Sequence, residues 1–149
     1  MIKTSEQIRS LVHKSVSELS IINSDKTEFK LSPDKWSKKE ILGHLIDSAL
    51  NNHQRCVRAG YNVADQFPPY NQNEWVNIQH YNELSWHDLI RFWNDINQHL
   101  CHVIEHLPDE AKFIKCNIGK VELVTLEFVV KDYLRHMRHH IEQILGETL

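Results

Sequence analysis

The chain has 149 residues, with 17 Lys and Arg against 20 Asp and Glu and a formal net charge of −3 at pH 7. That length suits one domain, residues 1–149, whose core can stand without disulfide or metal staples, and that charge leaves no electrostatic footprint for nucleic acid or an anionic membrane. With 41% hydrophobic residues but only 4 Gly and 4 Pro, the composition excludes a low-complexity chain and a many-stranded β protein, since each hairpin needs its own turn residues.

The elements are expected to be helical. From about Ser5 to Ile22, Ile8, Leu11, Val12, Val16, Leu19 and Ile22 recur at spacings of three and four, the stripe of an amphipathic helix. After a polar stretch with Pro33, Ser37 and Glu40 have capping-box spacing and Trp36 with Ile41 that of a hydrophobic staple, so a second helix starts at Lys38. It runs to about Arg58, with Gly60 as its stop. From Tyr61 to Asn73 two prolines and several amides predict an ordered irregular loop, followed by short helical structure from Trp75 to His80. Ser85 caps a third long helix whose face runs from Trp86 through Leu89, Ile90, Trp93, Ile96, Leu100, Val103 and Ile104 to Leu107, before Pro108. Residues 111–122 around Gly119 read as a small hairpin, and Thr125 opens a last helix that ends at Gly146. Four long helices with one apolar face each pack most economically as an all-α four-helix bundle, in which the long second connection either joins parallel helices or caps one end.

The 11 histidines are the unusual feature of the composition. On the last helix, Val129, Val130, Tyr133, Met137, Ile141 and Ile144 form the inward face. At about 100° per residue, His136 and His140 border that face together while His139 points to solvent. Imidazoles at i and i+4 stand one above the other and can share a metal ion, although the same spacing also describes two polar residues flanking a core stripe. On the second helix Ile41, Leu45, Ala49 and Cys56 face inward, with His44 at the edge and Ser48 beside it. A third imidazole is thus available from another helix, and three would leave an ion's coordination sphere partly open, as a catalytic site requires. His99, His102 and His106 fall on the solvent side of the third helix, and His13, His53, His80 and His87 carry no pattern.

Other polar residues are weighed against this trio. Asp47 and Asp132, one turn from His44 and His136, are candidates for orienting imidazoles or else solvated helix charges. Glu40 is occupied by the capping box. Asn52 lies on the inward side of its helix and needs a partner or a wet pocket, whose mouth Tyr70, Gln72 and Trp75 are placed to close. Trp75, like Trp36, Trp86 and Trp93, is otherwise a packing residue. Cys56, Cys101 and Cys116 are odd in number and lie outside any CxxC, which indicates neither a disulfide framework nor a cysteine-based zinc site. With no apolar signal core in MIKTSEQIRSLVHKS and no run of roughly 18 apolar residues, the expectation is a soluble cytoplasmic protein.

The segment WSKKEILGH, Trp36 to His44, together with the HxxxHxxQ run from His136 to Gln143, resembles the DinB-like (DinB/YfiT-like) metalloenzyme family. The two motifs span the two ends of a full-length match, and the loop FPPYNQNEWV is similar to the same region in one subset, where it would lie near the metal. The resemblance implies a four-helix bundle with a divalent ion, zinc, nickel or iron, held by His44, His136 and His140. It also implies a small-molecule substrate such as a low-molecular-weight thiol and thiol-dependent transferase or hydrolase activity, while charge and hydropathy predict no nucleic acid or membrane partner. A homodimer is admitted. The alternative reading is a non-catalytic metal-binding or stress-related bundle. Imidazoles suit zinc, nickel, copper and iron alike, so the sequence does not choose the ion.

Overall fold

The structure is a computed structural model that describes residues 1–61, 67, 69–119 and 122–146. Among these, the long helices are α1 (Ile2–Ser20), α2 (Lys38–Gly60), α4 (Trp86–His106) and α5 (Leu126–Leu145). A short helix α3 (Gln72–Gln79) lies in the second connection, and single 3-10 turns occur at Ser24–Lys26, Tyr81–Glu83 and Asp109–Phe113. In the principal packings α1 and α2 each lie against α4 and α5, which gives the order α1, α4, α2, α5 around the bundle. The only strands among the described residues are β1 (Lys115–Cys116) and β2 (Val124–Thr125), antiparallel, with Gly119 between them at φ 82°. The hairpin expected around Gly119 is therefore present; its positions 120 and 121, and 62–66 and 68 of the expected loop, lie outside the described residues.

Local chemistry fixes the helix ends. The Ser37 hydroxyl accepts from the Glu40 N–H at 3.2 Å while the Glu40 carboxylate accepts from the Ser37 N–H at 2.7 Å, so the capping box is complete. Lys30 holds the other Glu40 oxygen at 2.7 Å, which leaves that carboxylate committed to structure. Thr125 caps α5 by accepting from the Phe128 N–H, and Gly146 ends it in the left-handed region at φ 75°. Among the boundaries that depart from the sequence reading, three have a visible cause. Helix α1 begins at Ile2, because the Met1 carbonyl takes the Thr4 and Ser5 N–H groups and frees the Ser5 hydroxyl to donate to Glu105 on α4. Helix α2 runs through Gly60 and is capped at Tyr61, since Gly60 serves close approach: a Cβ there would come 2.9 Å from Leu107. Helix α3 starts at Gln72 because the Asn71 side chain accepts from the Asn73 and Glu74 N–H groups, closing the loop two residues early.

Along α5 the six residues read as inward-facing are all buried, and Leu126 and Leu134 join them. Helix α2 differs from a one-faced helix. Leu42 and Ile46 are as buried as Ile41 and Leu45, because the second connection returns across the N-terminal half of α2 and covers a second face. The Tyr81 ring lies on Gly43, where a Cβ would fall 2.1 Å from it, so only glycine permits the two to approach this closely. No described helix is long and apolar enough to cross a membrane.

Candidate metal centre

His44 projects from the first turns of α2 into the space beside α5 and is fully enclosed. Its Nε2 lies 3.1 Å from the Nε2 of His136, and His140 completes a trio whose nitrogens all fall within 4.8 Å of one another. The ring centroids are 4.5–5.0 Å apart and meet edge to face. His139, on the same turn as His140, is exposed, as are His99, His102 and His106, so the histidines sort by helix face as the 100° step predicts. Among the described residues this is the only cluster of three or more His, Cys, Asp or Glu side chains close enough to share an ion.

Neighbouring groups orient the rings. His140 Nδ1 donates to the Gln143 side-chain oxygen at 3.0 Å, leaving Nε2 with its lone pair toward the trio. His136 Nδ1 lies 3.5 Å from the Ser48 hydroxyl, one helical turn past His44 on α2. The Trp36 ring packs on His44 at 4.9 Å between centroids and closes that side. Burial, with the neighbouring rings adding to it, lowers the His44 pKa to about 3 and that of His136 to about 4, and burial also lowers His140. All three rings are neutral at pH 7, the form that donates a lone pair to a metal. Two neutral imidazole nitrogens turned toward each other need a proton or a cation between them. Nitrogens about 2.1 Å from a common divalent ion are about 3.0–3.4 Å apart, a span that contains the observed 3.1 Å. That pair has the spacing of two ligands of one divalent ion, and the third imidazole lies within 4.8 Å of both.

Neither nearby aspartate orients an imidazole. Asp47 points away from His44 and accepts from Gln79 at 2.6 Å and Tyr81 at 2.7 Å, which ties the second connection to α2; burial raises its pKa. Asp132 accepts from Arg135 through Nε and Nη2, at 3.1 and 2.7 Å. Its effect on His136 is a through-space field only. Asn52 finds its expected partner by donating to the Ser48 carbonyl at 2.8 Å, and it also lines a cavity.

That cavity, about 160 Å³, runs between α2 and α5 and ends at His136. Ser48, Asn52 and Arg55 line it from one face of α2; Val129, Asp132 and Tyr133 line it from α5. Tyr70 and Gln72 line it from the second connection. The Trp75 ring lies tilted against Tyr70, 4.6 Å between centroids, and lines a separate groove with Asp47 and Ile78 on the far side of α2. At 37% exposure it is no core packing residue, whereas Trp86 and Trp93 are. The sequence motif includes Gln143 without giving it a role, although its i+3 spacing from His140 places it to hold that ring. The sequence reading missed Arg55, whose signal was its place seven residues past Ser48 on one helical face.

All three cysteines are buried. Burial pushes Cys56 up to about 12 and Cys101 to about 11 and raises Cys116, so none supplies a thiolate near neutral pH.

Four long helices form the bundle, with the histidine trio between two of them, His44 enclosed and His136 and His140 half-buried, and a small cavity beside it that His136 lines. The chain belongs to the DinB superfamily, whose family model matches residues 6–144. Among solved structures it is similar to YfiT from Bacillus subtilis, described as a probable metal-dependent hydrolase with an unusual four-helix bundle topology. The identity is 16% and the TM-score 0.86, over 97% of this chain and 83% of that one. It is also similar to a mycothiol-dependent maleylpyruvate isomerase, at 13% identity and TM-score 0.80 over 97% of this chain. The chain spans 60% of the isomerase's length. No curated protein sequence matches it. At these identities the likeness is one of fold.

Proposed function

We propose that this protein is a divalent-metal-dependent enzyme acting on a small molecule, with His44, His136 and His140 as the metal ligands. The reading rests on one observation: two helices bring three neutral imidazoles within 4.8 Å of one another, beside a cavity that His136 lines. A divalent ion there supplies Lewis-acid chemistry, lowering the pKa of a thiol or water so that a nucleophile exists at neutral pH. The chain's residues do the rest. Gln143 and Ser48 fix the ring orientations of His140 and His136, Trp36 keeps bulk water from His44, and Asn52 with Gln72 offers amide hydrogen bonds in the cavity. Because the protein's own thiols are buried and protonated, the attacking group comes from outside the chain, as a low-molecular-weight thiol in a transferase or as water in a hydrolase. The isomerase it resembles in fold is described as thiol-dependent, and YfiT as a probable hydrolase, which supports both forms. The cavity leading to the trio favours turnover over a purely metal-binding role.

The test is metal content, by mass spectrometry, of protein purified without an affinity tag. His140→Ala is expected to lose the ion and His139→Ala to keep it, since both remove an imidazole from one turn but only His140 joins the trio. Equal retention in the two removes the site. Thiol-dependent consumption of an electrophile such as 1-chloro-2,4-dinitrobenzene, present in the parent protein and absent in His140→Ala, separates the transferase from the hydrolase.

A further inference from the structure

Arg55 is a half-buried cation that forms no ion pair among the described residues, although it feels the field of Asp132. Its guanidinium lines the cavity that ends at His136. Its one hydrogen bond among the described residues is a long one, from Nη1 to the Asn52 side-chain oxygen at 3.4 Å. Arg9, Arg91 and Arg135 each hold a carboxylate, from Glu105, Asp88 and Asp132. Arg55 forms no ion pair among the described residues, as is also true of Arg58 and Arg138, but unlike them it lines the cavity. The one carboxylate on the described cavity wall, Asp132, already takes two donors from Arg135. Desolvation lowers the Arg55 pKa, yet arginine stays charged at neutral pH. A guanidinium has five N–H donors in a planar fork, and removing such a cation from water without an anion is costly. Here most of that fork is uncommitted and faces a cavity of about 160 Å³, similar to one of about 150 Å³ that accommodates benzene.

We infer that Arg55 anchors a carboxylate of the substrate, which lies along the α2–α5 cavity with its reacting end toward His136. The placement of the reacting end rests on the proposed metal site; the anchoring rests on Arg55 alone. A carboxylate suits the site better than a phosphate on charge. Both match the guanidinium fork, but a carboxylate group sets one charge against the single cation, whereas a phosphate dianion crowds two onto one group beside Asp132. Asn52 and Gln72, with the Tyr70 hydroxyl, which burial keeps protonated, add neutral hydrogen-bonding groups around the bound acid.

Succinate titrations followed by amide NMR test this on the parent protein and on Arg55→Gln, Arg55→Lys and His140→Ala, with metal content and thermal unfolding measured on each. Succinate is expected to bind the parent, and neutral succinamide is not. Arg55→Gln is expected to weaken succinate by about tenfold to a hundredfold, the loss of a charge-assisted hydrogen-bond pair, with metal content unchanged. Arg55→Lys, which keeps the charge but not the fork, should fall between the two and remains informative if Arg55→Gln does not fold. His140→Ala should lose metal yet still bind succinate. The inference is overturned if the parent does not bind succinate, if both Arg55 variants bind it as the parent does, or if inorganic phosphate binds more tightly with the same dependence on Arg55. It is equally overturned if succinate binding disappears with the metal in His140→Ala, because the acid then sits on the ion. A parent protein without metal that still binds succinate through Arg55 refutes the metal site and leaves the anchor standing.

Discussion

Acidifying the metal-free protein from pH 7 to pH 5 should cost it about 4 kcal/mol of stability through His44 and His136 alone. The magnitude follows from linkage. In the folded state burial holds these rings at about 3 and about 4, against 6.5 for an ordinary histidine. At pH 5 the unfolded chain binds protons that the folded chain refuses. Each ring then disfavours the folded state by about 1.4 kcal/mol per pH unit below 6.5, or about 2 kcal/mol at pH 5. Because the folded pKa values are depressed, this stability is fully present above pH 6.5 and is lost as pH falls toward 4 and then 3. His53 and His140 are lowered too and act with the same sign, while the raised Asp47 opposes them weakly. The assay is urea unfolding after chelation, at pH 7 and pH 5, beside His136→Gln, in which about half of the dependence should vanish. A parent protein that loses less than about 1 kcal/mol over this interval would show that the trio is open to water and would refute the account of its burial.

Gly43→Ala should destabilise the fold by about 1–3 kcal/mol, the usual cost of overpacking, because the new methyl overlaps the Tyr81 ring; denaturant unfolding reads this directly. Tyr81→Phe should cost about 1–3 kcal/mol by removing one of the two hydrogen bonds to the buried Asp47, and the same measurement at pH 7 checks it. Gln143→Ala, which frees the His140 ring, should weaken metal retention by about tenfold to a hundredfold; competition with a chelator of known affinity measures it.

Much of the architecture is legible in the sequence because helix phase is a local property. The apolar stripe of α5 alone decides that His140 faces inward and His139 outward, and Ser37, Thr125 and Gly146 mark helix ends through bonds made within four residues. What returns from a distance is not legible in this way. Asp47 has the spacing of a group that orients His44, yet its oxygen is taken by Tyr81 and Gln79, which lie 34 and 32 residues away. The adjacent pairs Ile41-Leu42 and Leu45-Ile46 hinted that α2 is covered on more than one side, but periodicity does not say by what. The Arg55 cavity depends in the same way on Tyr70, Gln72 and Ile118 arriving from separate connections.

The two sides of the histidine trio are 92 residues apart along the chain. During synthesis the segment carrying His44 emerges long before α5 does, and a single imidazole is a poor hold for any ion. Even α5 on its own offers only an i, i+4 pair on a segment that is marginally helical in water until it docks. A three-coordinate donor set comes into being only once the last helix packs on the bundle. Under the proposed function, metal loading would in this sense report completed assembly, and chains halted before α5 would lack two of the three imidazoles.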